Sequence, residues 1–291
     1  MPKLFKRFTT KDLLTHNNSV CNPSYLLDDG IVVYRDGRKE KTDDNTKLLK
    51  IGDIDNHLNI TNCRTISVPG KDLSDPRLVK WRNDTYVVVT IITLRIKEDL
   101  GYLAHMDLLD IKTNRLLGIT YSNSTHREKN WIFFEHGAEL MCSRSLWGRQ
   151  HEVLKLNGTK MEDHAKSDYT TRWGSDFGDI RNTSNFVYYD GLMWGCVHSH
   201  DEHLSIPATY YCGLFAFEPA YPFNVVKMSN VPLFNPRYKG DILYPNHLDI
   251  MNDGTFRIGM GVNEVDHFDI VTLSPEEVSE HLTDDMTYSY I

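Results

Sequence analysis

The chain has 291 residues, is 40% hydrophobic and 25% charged, and so has the make-up and length of a globular protein with a substantial core. A formal net charge of −8 argues against a broad nucleic-acid-binding face, which needs an excess of cations. No apolar run approaches the roughly 20 residues of a membrane span, and the charged opening residues 1–8 lack the apolar segment of a secretory signal, so no transmembrane segment and a cytoplasmic location are expected.

Strand-like runs dominate in chain order: residues 30–35, 85–94, 103–111, 140–146, 186–189, 192–198, 210–217 and 256–261. Turn signals punctuate many of them, at Asp29-Gly30, Asp36-Gly37, Asn157-Gly158, Asp190-Gly191 and Asp253-Gly254. Helical periodicity is nearly absent until Ser274-Pro275-Glu276-Glu277, which reads as an N-cap, a proline at the first helical position and acids in the first turn. No linker divides the chain, so one domain over 1–291 is expected. The strands cluster in five groups beginning near residues 30, 75, 128, 185 and 242, each roughly the length of a four-stranded propeller blade. The expected fold is all-β, a five-bladed β-propeller with a short C-terminal helix; a pair of β-sandwiches is the structural alternative. The five cysteines (Cys21, Cys63, Cys142, Cys196, Cys212) are odd in number and form no Cys-x-x-Cys pair, which reads as free thiols buried in strands.

Polar motifs sit where these groups begin. Asp75-Pro76-Arg77 opens the second, Glu128-Lys129-Asn130-Trp131 the third, and the run from Arg172 to Arg181 precedes the fourth. His198-Ser199-His200 ends a strand of the fourth; Asp241 and Tyr244-Pro245-Asn246-His247 open the fifth. In a propeller the innermost strands line the central channel, so these residues would converge there.

Asp75 is the candidate catalytic carboxylate, able to take a proton from a hydroxyl or give one to a leaving oxygen. Pro76 restricts it to an extended backbone, and Arg77, two residues on, shares its strand face. Arg77, Lys129, Asn130, Arg172 and Arg181 are candidate donor- or phosphate-binding residues, because guanidinium forks and ammonium groups match phosphate oxygens. Trp131, Trp173, Asp176, Asp179, His198, His200, Asp241 and His247 are candidate sugar-binding residues, although each tryptophan taken alone reads rather as core. Asp176 and Asp179 read alternatively as partners of Arg172 and Arg181. His198 and His200 face one way as metal ligands sometimes do, with Asp201 and His203 nearby, but no third ligand is identifiable. Asp53-Ile54-Asp55 is a lone Asp-x-Asp. No Gly-x-Gly-x-x-Gly, P-loop or Gly-x-Ser-x-Gly motif occurs, which disfavours dinucleotide, ATP and serine-hydrolase chemistry.

These pieces resemble, in order, the five-bladed propeller family of β-mannoside phosphorylases and related glycosyltransferases. The resemblance is carried by Asn22-Pro23-Ser24 with Val33-Tyr34-Arg35, by Asp75-Pro76-Arg77-Leu78 and Glu128-Lys129-Asn130-Trp131, by Arg172-Trp173-Gly174-Ser175, and by Gly259-Met260-Gly261-Val262-Asn263. The compact chain also looks similar to the propeller glycosyltransferases of large algal viruses, of xylosyltransferase type. That similarity implies a UDP-sugar donor (UDP-xylose), a fucosylated glycan acceptor, inversion at the anomeric carbon, no essential metal or other cofactor, and a host-cytoplasmic site of action. The leading expectation is an inverting glycosyltransferase with Asp75 as general base. A β-mannoside phosphorylase or glycoside hydrolase with Asp75 as general acid is the first alternative, and a non-catalytic carbohydrate-binding propeller the second.

Overall fold

Two-residue turns with positive φ fold the short apolar runs into hairpins. Asp190 (φ 49°) and Gly191 (φ 79°) join Val187–Tyr189 to Leu192–His200. Arg82 (φ 51°) and Asn83 (φ 65°) do the same between Asp72–Trp81 and Asp84–Arg95, without a glycine. Positive φ at both central residues gives the turn whose twist matches that of the flanking strands.

The computed structural model describes residues 3–9, 20–36, 48–95, 102–125, 128–201, 208–234, 242–262 and 267–283. The hairpins assemble into five sheets arranged as the blades of a propeller. Blade 1 runs through Val20–Leu26, Ile31–Asp36, Leu48–Ile54 and Ile60–Ile66; blade 2 through Asp72–Trp81, Asp84–Arg95, Tyr102–Asp110 and Arg115–Leu116. Blade 3 contains Ile132–His136, Glu139–Ser145, Gln150–Asn157 and Lys160–Asp168, and the short Thr120–Tyr121 lies parallel to its last strand. Blade 4 is built on Leu192–His200, Tyr210–Phe217 and Val225–Ser229, with Arg181–Asn182 and Val187–Tyr189 both pairing along the first of these. Blade 5 comprises Leu243–Ile250, Phe256–Val262 and His267–Leu273, and its outer strand is Lys3–Thr9 from the start of the chain. That antiparallel pairing closes the ring, as Lys3 to Thr9 run against Thr272 to His267.

Each blade buries both faces, which is why many of its strands read as continuous apolar runs. Val33, Leu49 and Ile51 of blade 1 pack on Leu73, Val87 and Val89 of blade 2. The intervening Val88 points the other way and joins Met106 and Leu108 against Phe133, Leu140 and Leu154 of blade 3. Phe134, Met141 and Val153 then meet Phe215, Phe217 and Phe223 of blade 4. Trp194, Cys196 and Leu214 meet Leu248, Ile258 and Leu273 of blade 5. Tyr25, Val32 and Ile54 close the circle on Phe268 and Ile270. Burying each such side chain contributes roughly 1.5–3 kcal/mol, so the wedges between blades hold the ring together.

Gly195 shows how tight one wedge is. A Cβ there would lie 2.6 Å from Cε1 of Phe186 and 3.0 Å from Cε1 of Phe215. Gly195→Ala is therefore expected to destabilise the protein by about 1–3 kcal/mol through overpacking, measured by urea unfolding; an unchanged midpoint would contradict the packing.

Ser274 caps the single described α-helix, Pro275–His281: its Oγ accepts from the Glu277 amide at 3.2 Å, and its own amide donates to the Glu277 carboxylate at 2.9 Å. Val278 anchors the helix in the core between blades 4 and 5. The cysteine expectation needs one correction. Cys142, Cys196 and Cys212 are buried free thiols, but Cys63 is exposed, because it lies on the polar outer strand Ile60–Ile66 of blade 1. No helix among the described residues is long and apolar enough to cross a membrane.

Candidate functional site

The innermost strands of blades 1, 2 and 5 each carry a β-bulge near the propeller axis. In blade 2, Ser74 pairs Thr90 and Arg77 pairs Val88, so Asp75 and Pro76 together oppose one residue. In blade 1, Cys21 pairs Arg35 and Ser24 pairs Val33, leaving Asn22 and Pro23 in the same situation. In blade 5, Asn246 is the extra residue between Pro245 and His247. Bulges suit proline, which has no amide to give the ladder, and they re-aim the side chain beside it. Asn22 (φ 52°), Asp75 (φ 50°) and, just ahead of the first strand of blade 3, Asn130 (φ 61°) all adopt the left-handed backbone. Asn and Asp tolerate that region better than most residues. The extended backbone expected for Asp75 is thus corrected: Pro76 sits in a bulge, and the bulge turns Asp75 inward.

These side chains are wired to one another. Asn246 Nδ2 donates to Asn22 Oδ1 (3.1 Å), and Asn22 Nδ2 donates to Asp75 Oδ1 (2.8 Å). Arg77 is 1% exposed and works beneath the surface. It donates to the Asp75 carbonyl (3.3 Å), to the Thr183 carbonyl and to the Tyr244 hydroxyl (3.1 Å). Tyr244 in turn donates to Asn130 Oδ1 (3.1 Å). Burial raises the Tyr244 pKa, partly offset by Arg77, so the phenol keeps the proton it donates. Arg77 is therefore a buried girder that joins blades 2, 4 and 5, and it does not border the cavity.

Above this layer opens a cavity of about 1390 Å³. Asp75, Lys129, Asn130, Arg181, His198 and His200 line it, so the structure brings these six expected site residues to one place. Arg35 and Tyr244 border it as well. Cations thus gather here in a chain whose formal charge is −8. Burial drives the His198 pKa well below its ordinary value, and Arg181, Arg77 and Lys129 push it the same way, so the imidazole is neutral. Its Nδ1 is buried without a hydrogen-bond partner. Arg181 donates to His200 Nε2. Gly178 (φ 77°) allows the preceding loop to pass so close that a Cβ would fall 2.0 Å from the His200 carbonyl oxygen.

Two further carboxylates on the wall are committed elsewhere. Arg144 bridges Glu128 (2.9 Å) and Glu152 (2.5 Å), and Lys166 adds a contact to Glu152 at 2.8 Å. Trp131 Nε1 donates to Glu128 at 2.9 Å, as does the Thr125 amide at 2.7 Å. Burial opposes ionisation of Glu128, yet Arg144 and these donors hold its pKa below the usual carboxylate value.

Other expected site residues lie elsewhere. Trp131 and Trp173 are 2% and 5% exposed and belong to the core, so neither offers a ring face to a ligand. Trp173 spends its N–H on Ser199 Oγ at 3.2 Å. His247 is buried against Tyr25, with ring centres 3.6 Å apart. Arg172 and Asp176 are exposed and do not border the cavity, while exposed Asp179 accepts from Trp147 Nε1 at 3.1 Å. Asp241, together with His203, lies outside the described residues. Asp53-Ile54 ends a strand of blade 1 and Asp55 begins the turn after it, its carboxylate accepting the amides of His57 (2.9 Å) and Asn59 (2.7 Å). Among the described residues no group of three His, Cys, Asp or Glu side chains is placed to hold a metal ion.

Sequence reading missed Asn22, Arg35, Tyr244 and Trp147. The repetition of Asn22-Pro23 and Asp75-Pro76 at two blade starts was the signal for the first. Tyr244 stood in a motif expected at the channel but was not singled out within it; Arg35 and Trp147 have no such signal, since their places depend on blade packing.

Neutral buried histidines also predict a pH dependence. His151 donates from Nδ1 to the Phe223 carbonyl and accepts from Ser143 Oγ at Nε2, both at 2.9 Å, and burial pushes its pKa down to about 4. Burial likewise pushes His247 down to about 3. The unfolded chain takes up protons below the ordinary histidine value of about 6.5, which the fold excludes. Stability is therefore complete above that pH and falls as pH drops from it toward 4, by up to about 1.4 kcal/mol per pH unit for each such histidine. Urea unfolding at pH 7.5 and pH 5 measures this; equal stabilities would contradict it.

No protein-family model matches this sequence, and no curated protein matches it either. Solved structures share its fold. A putative glycoside hydrolase from Parabacteroides distasonis superposes with a TM-score of 0.64 at 11% identity, over 88% of this chain and 87% of that one. MPT-1, a GDP-Man-dependent mannosyltransferase from Leishmania mexicana, gives 0.59 at 12% identity over 92% and 88%. MPT-4, a mannose phosphorylase from the same organism in complex with a phosphate ion, gives 0.57 at 12% identity over 99% and 94%. At these identities the likeness is one of fold.

Proposed function

We propose that the protein is a carbohydrate-active enzyme, an inverting glycosyltransferase that moves a sugar from a UDP-sugar to a hydroxyl of a glycan acceptor. Xylose as the sugar and fucose as the acceptor follow from the algal-virus resemblance. The observation that carries the reading is the placing of the cavity's carboxylates among the described residues: Glu128 and Glu152 are both paired with Arg144, while Asp75, held by Asn22, lines the cavity with Arg35, Lys129 and Arg181. Hydrolysis of a glycosidic bond generally uses two carboxylates, one acid and one base or nucleophile. Displacement of a nucleoside diphosphate needs one base, because the leaving group departs without a proton and cations stabilise it.

In this mechanism Asp75 accepts the proton of the acceptor hydroxyl as that oxygen attacks the anomeric carbon. The bond from that carbon to the diphosphate oxygen breaks on the opposite face, and the electron pair leaves with UDP. Lys129 and Arg181 receive the developing charge, and Asn130, His198 and His200 bind sugar hydroxyls. Asn22 orients the Asp75 carboxylate by donating to its Oδ1. Four blades contribute these groups, so the chemistry depends on the closed ring.

Phosphorolysis is the second reading, favoured by the same placing of a carboxylate beside cations: Asp75 would protonate the leaving oxygen and inorganic phosphate would attack. MPT-1 and MPT-4 show that one fold carries a mannosyltransferase and a mannose phosphorylase. Incubation with sugar nucleotides, and separately with phosphate plus a β-mannoside, separates the two. A protein that binds saccharide but turns over neither mixture would instead be a binding propeller.

A further inference from the structure

Trp147 is 68% exposed, and of the large exposed apolar side chains among the described residues it is the one that borders the cavity. It opens a single 3-10 turn, Trp147–Arg149, between two strands of blade 3. The turn is firmly built. Gly148 (φ 65°) and Arg149 (φ 63°) take successive left-handed conformations. Leu146 behind is buried, and Tyr169 donates its hydroxyl to the Leu146 carbonyl (2.5 Å) and its amide to the Arg149 carbonyl (3.0 Å). Ser145 Oγ accepts the Trp147 amide at 3.0 Å, and Asp179, from the segment leading into blade 4, accepts the indole N–H at 3.1 Å. The ring is thus held at its edge while its surface stays exposed.

An immobilised indole exposed at the rim of a polar cavity serves no packing purpose. Its face suits a ligand that is apolar on one side and hydroxylated at its edge, the chemistry of a pyranose ring. We infer that Trp147, oriented by Asp179, is the stacking platform of an acceptor-saccharide subsite. This deepens, and rests on, the transfer reading above. A cavity of about 1390 Å³ exceeds the roughly 300–1,000 Å³ typical of one small-molecule ligand, so it has room for two substrates. The inner cations suit the charged donor. The rim suits the acceptor, because a glycan chain must run out to solvent from there. Asp179, expected from sequence to touch sugar, acts one step back as a positioning residue for the ring that does.

The test is a titration, followed by ligand-observed NMR, of the intact protein with methyl α-L-fucopyranoside, β-1,4-mannobiose and cellobiose, and separately with UDP. At least one saccharide should bind the wild type. Trp147→Ala should weaken that saccharide about tenfold or more, Trp147→Phe should stay within about threefold, and UDP affinity should not change in either. Asp179→Asn, which still offers an acceptor oxygen, should behave like wild type. Equal saccharide affinity in Trp147→Ala, no saccharide binding to the wild type, or loss of UDP affinity with saccharide affinity intact would each overturn the inference. Saccharide results as expected with no UDP binding to any variant would uphold the platform and sink the nucleotide donor instead.

Discussion

Asp75→Asn is expected to lower transfer by about 10²–10⁴-fold, the range removed with a general base, while donor affinity survives. The substitution isolates the proton-accepting function unusually well. The carboxamide keeps an oxygen for the Asn22 Nδ2 donor that now lies 2.8 Å from Asp75 Oδ1. Asparagine also tolerates the φ of 50° that the bulge imposes. Arg77 grips the backbone carbonyl of residue 75 and not its side chain, so the girder across the blades stays in place. The measurement is turnover and donor binding side by side. Full activity in the variant would remove Asp75 from the mechanism, and loss of donor binding would assign it to substrate binding.

Arg144→Met should have the largest effect on stability, about 3–5 kcal/mol by urea unfolding. Glu128 and Glu152 are 6% and 16% exposed; this guanidinium is the cation on Glu128, and Glu152 shares it with Lys166. Removing the cation strands the buried Glu128 carboxylate and leaves Glu152 with Lys166 only, and stranding one partner of a buried pair costs about that much. Partial rescue is expected when Glu128→Gln is added, since a neutral side chain there needs no counter-ion. The interaction also has a pH signature. The Glu128 pKa is depressed in the fold, so its contribution is complete above the ordinary glutamate value and disappears as pH falls through the lower folded value. The wild type should lose this stability on acidification and Arg144→Met should not. A loss below 1 kcal/mol in the variant would show that the network contributes little.

Much of the architecture was legible because propeller blades repeat simple signals. Runs such as residues 210–217 are apolar on both faces, since wedges of core lie on either side of a blade, and Asp190-Gly191 is a strong hairpin turn. The outer strands were harder to see. Lys160–Asp168 and Ile60–Ile66 are mostly polar and half or more exposed, so neither alternation nor an apolar run announces them. Arg82-Asn83 makes a hairpin turn without the glycine that would have flagged it. Lys3–Thr9 is a strand only because the end of the chain supplies its partner, and no local pattern records that.

The site followed the same division. Asp75, Lys129, Asn130 and Arg181 stood out because polar residues at blade starts converge on an axis. Trp131 and Trp173 misled, because an indole beside charged residues reads the same whether its ring faces a ligand or its N–H serves a buried partner such as Glu128 or Ser199. Trp147 carries the opposite lesson: its neighbours in sequence are unremarkable, and its place on the rim is set by a turn and by Asp179, which stands 32 positions away.

The central claim is that the Asp75 carboxylate, lining a cavity with Arg35, Lys129 and Arg181, drives transfer from a nucleotide sugar. The measurement that tests it most directly is release of UDP from a panel of UDP-sugars, with and without a fucosylated glycan, by wild type and Asp75→Asn. The account predicts acceptor-dependent release by the wild type and near-complete loss in the variant. Phosphate-dependent formation of a sugar 1-phosphate, with every UDP-sugar left intact, would contradict it.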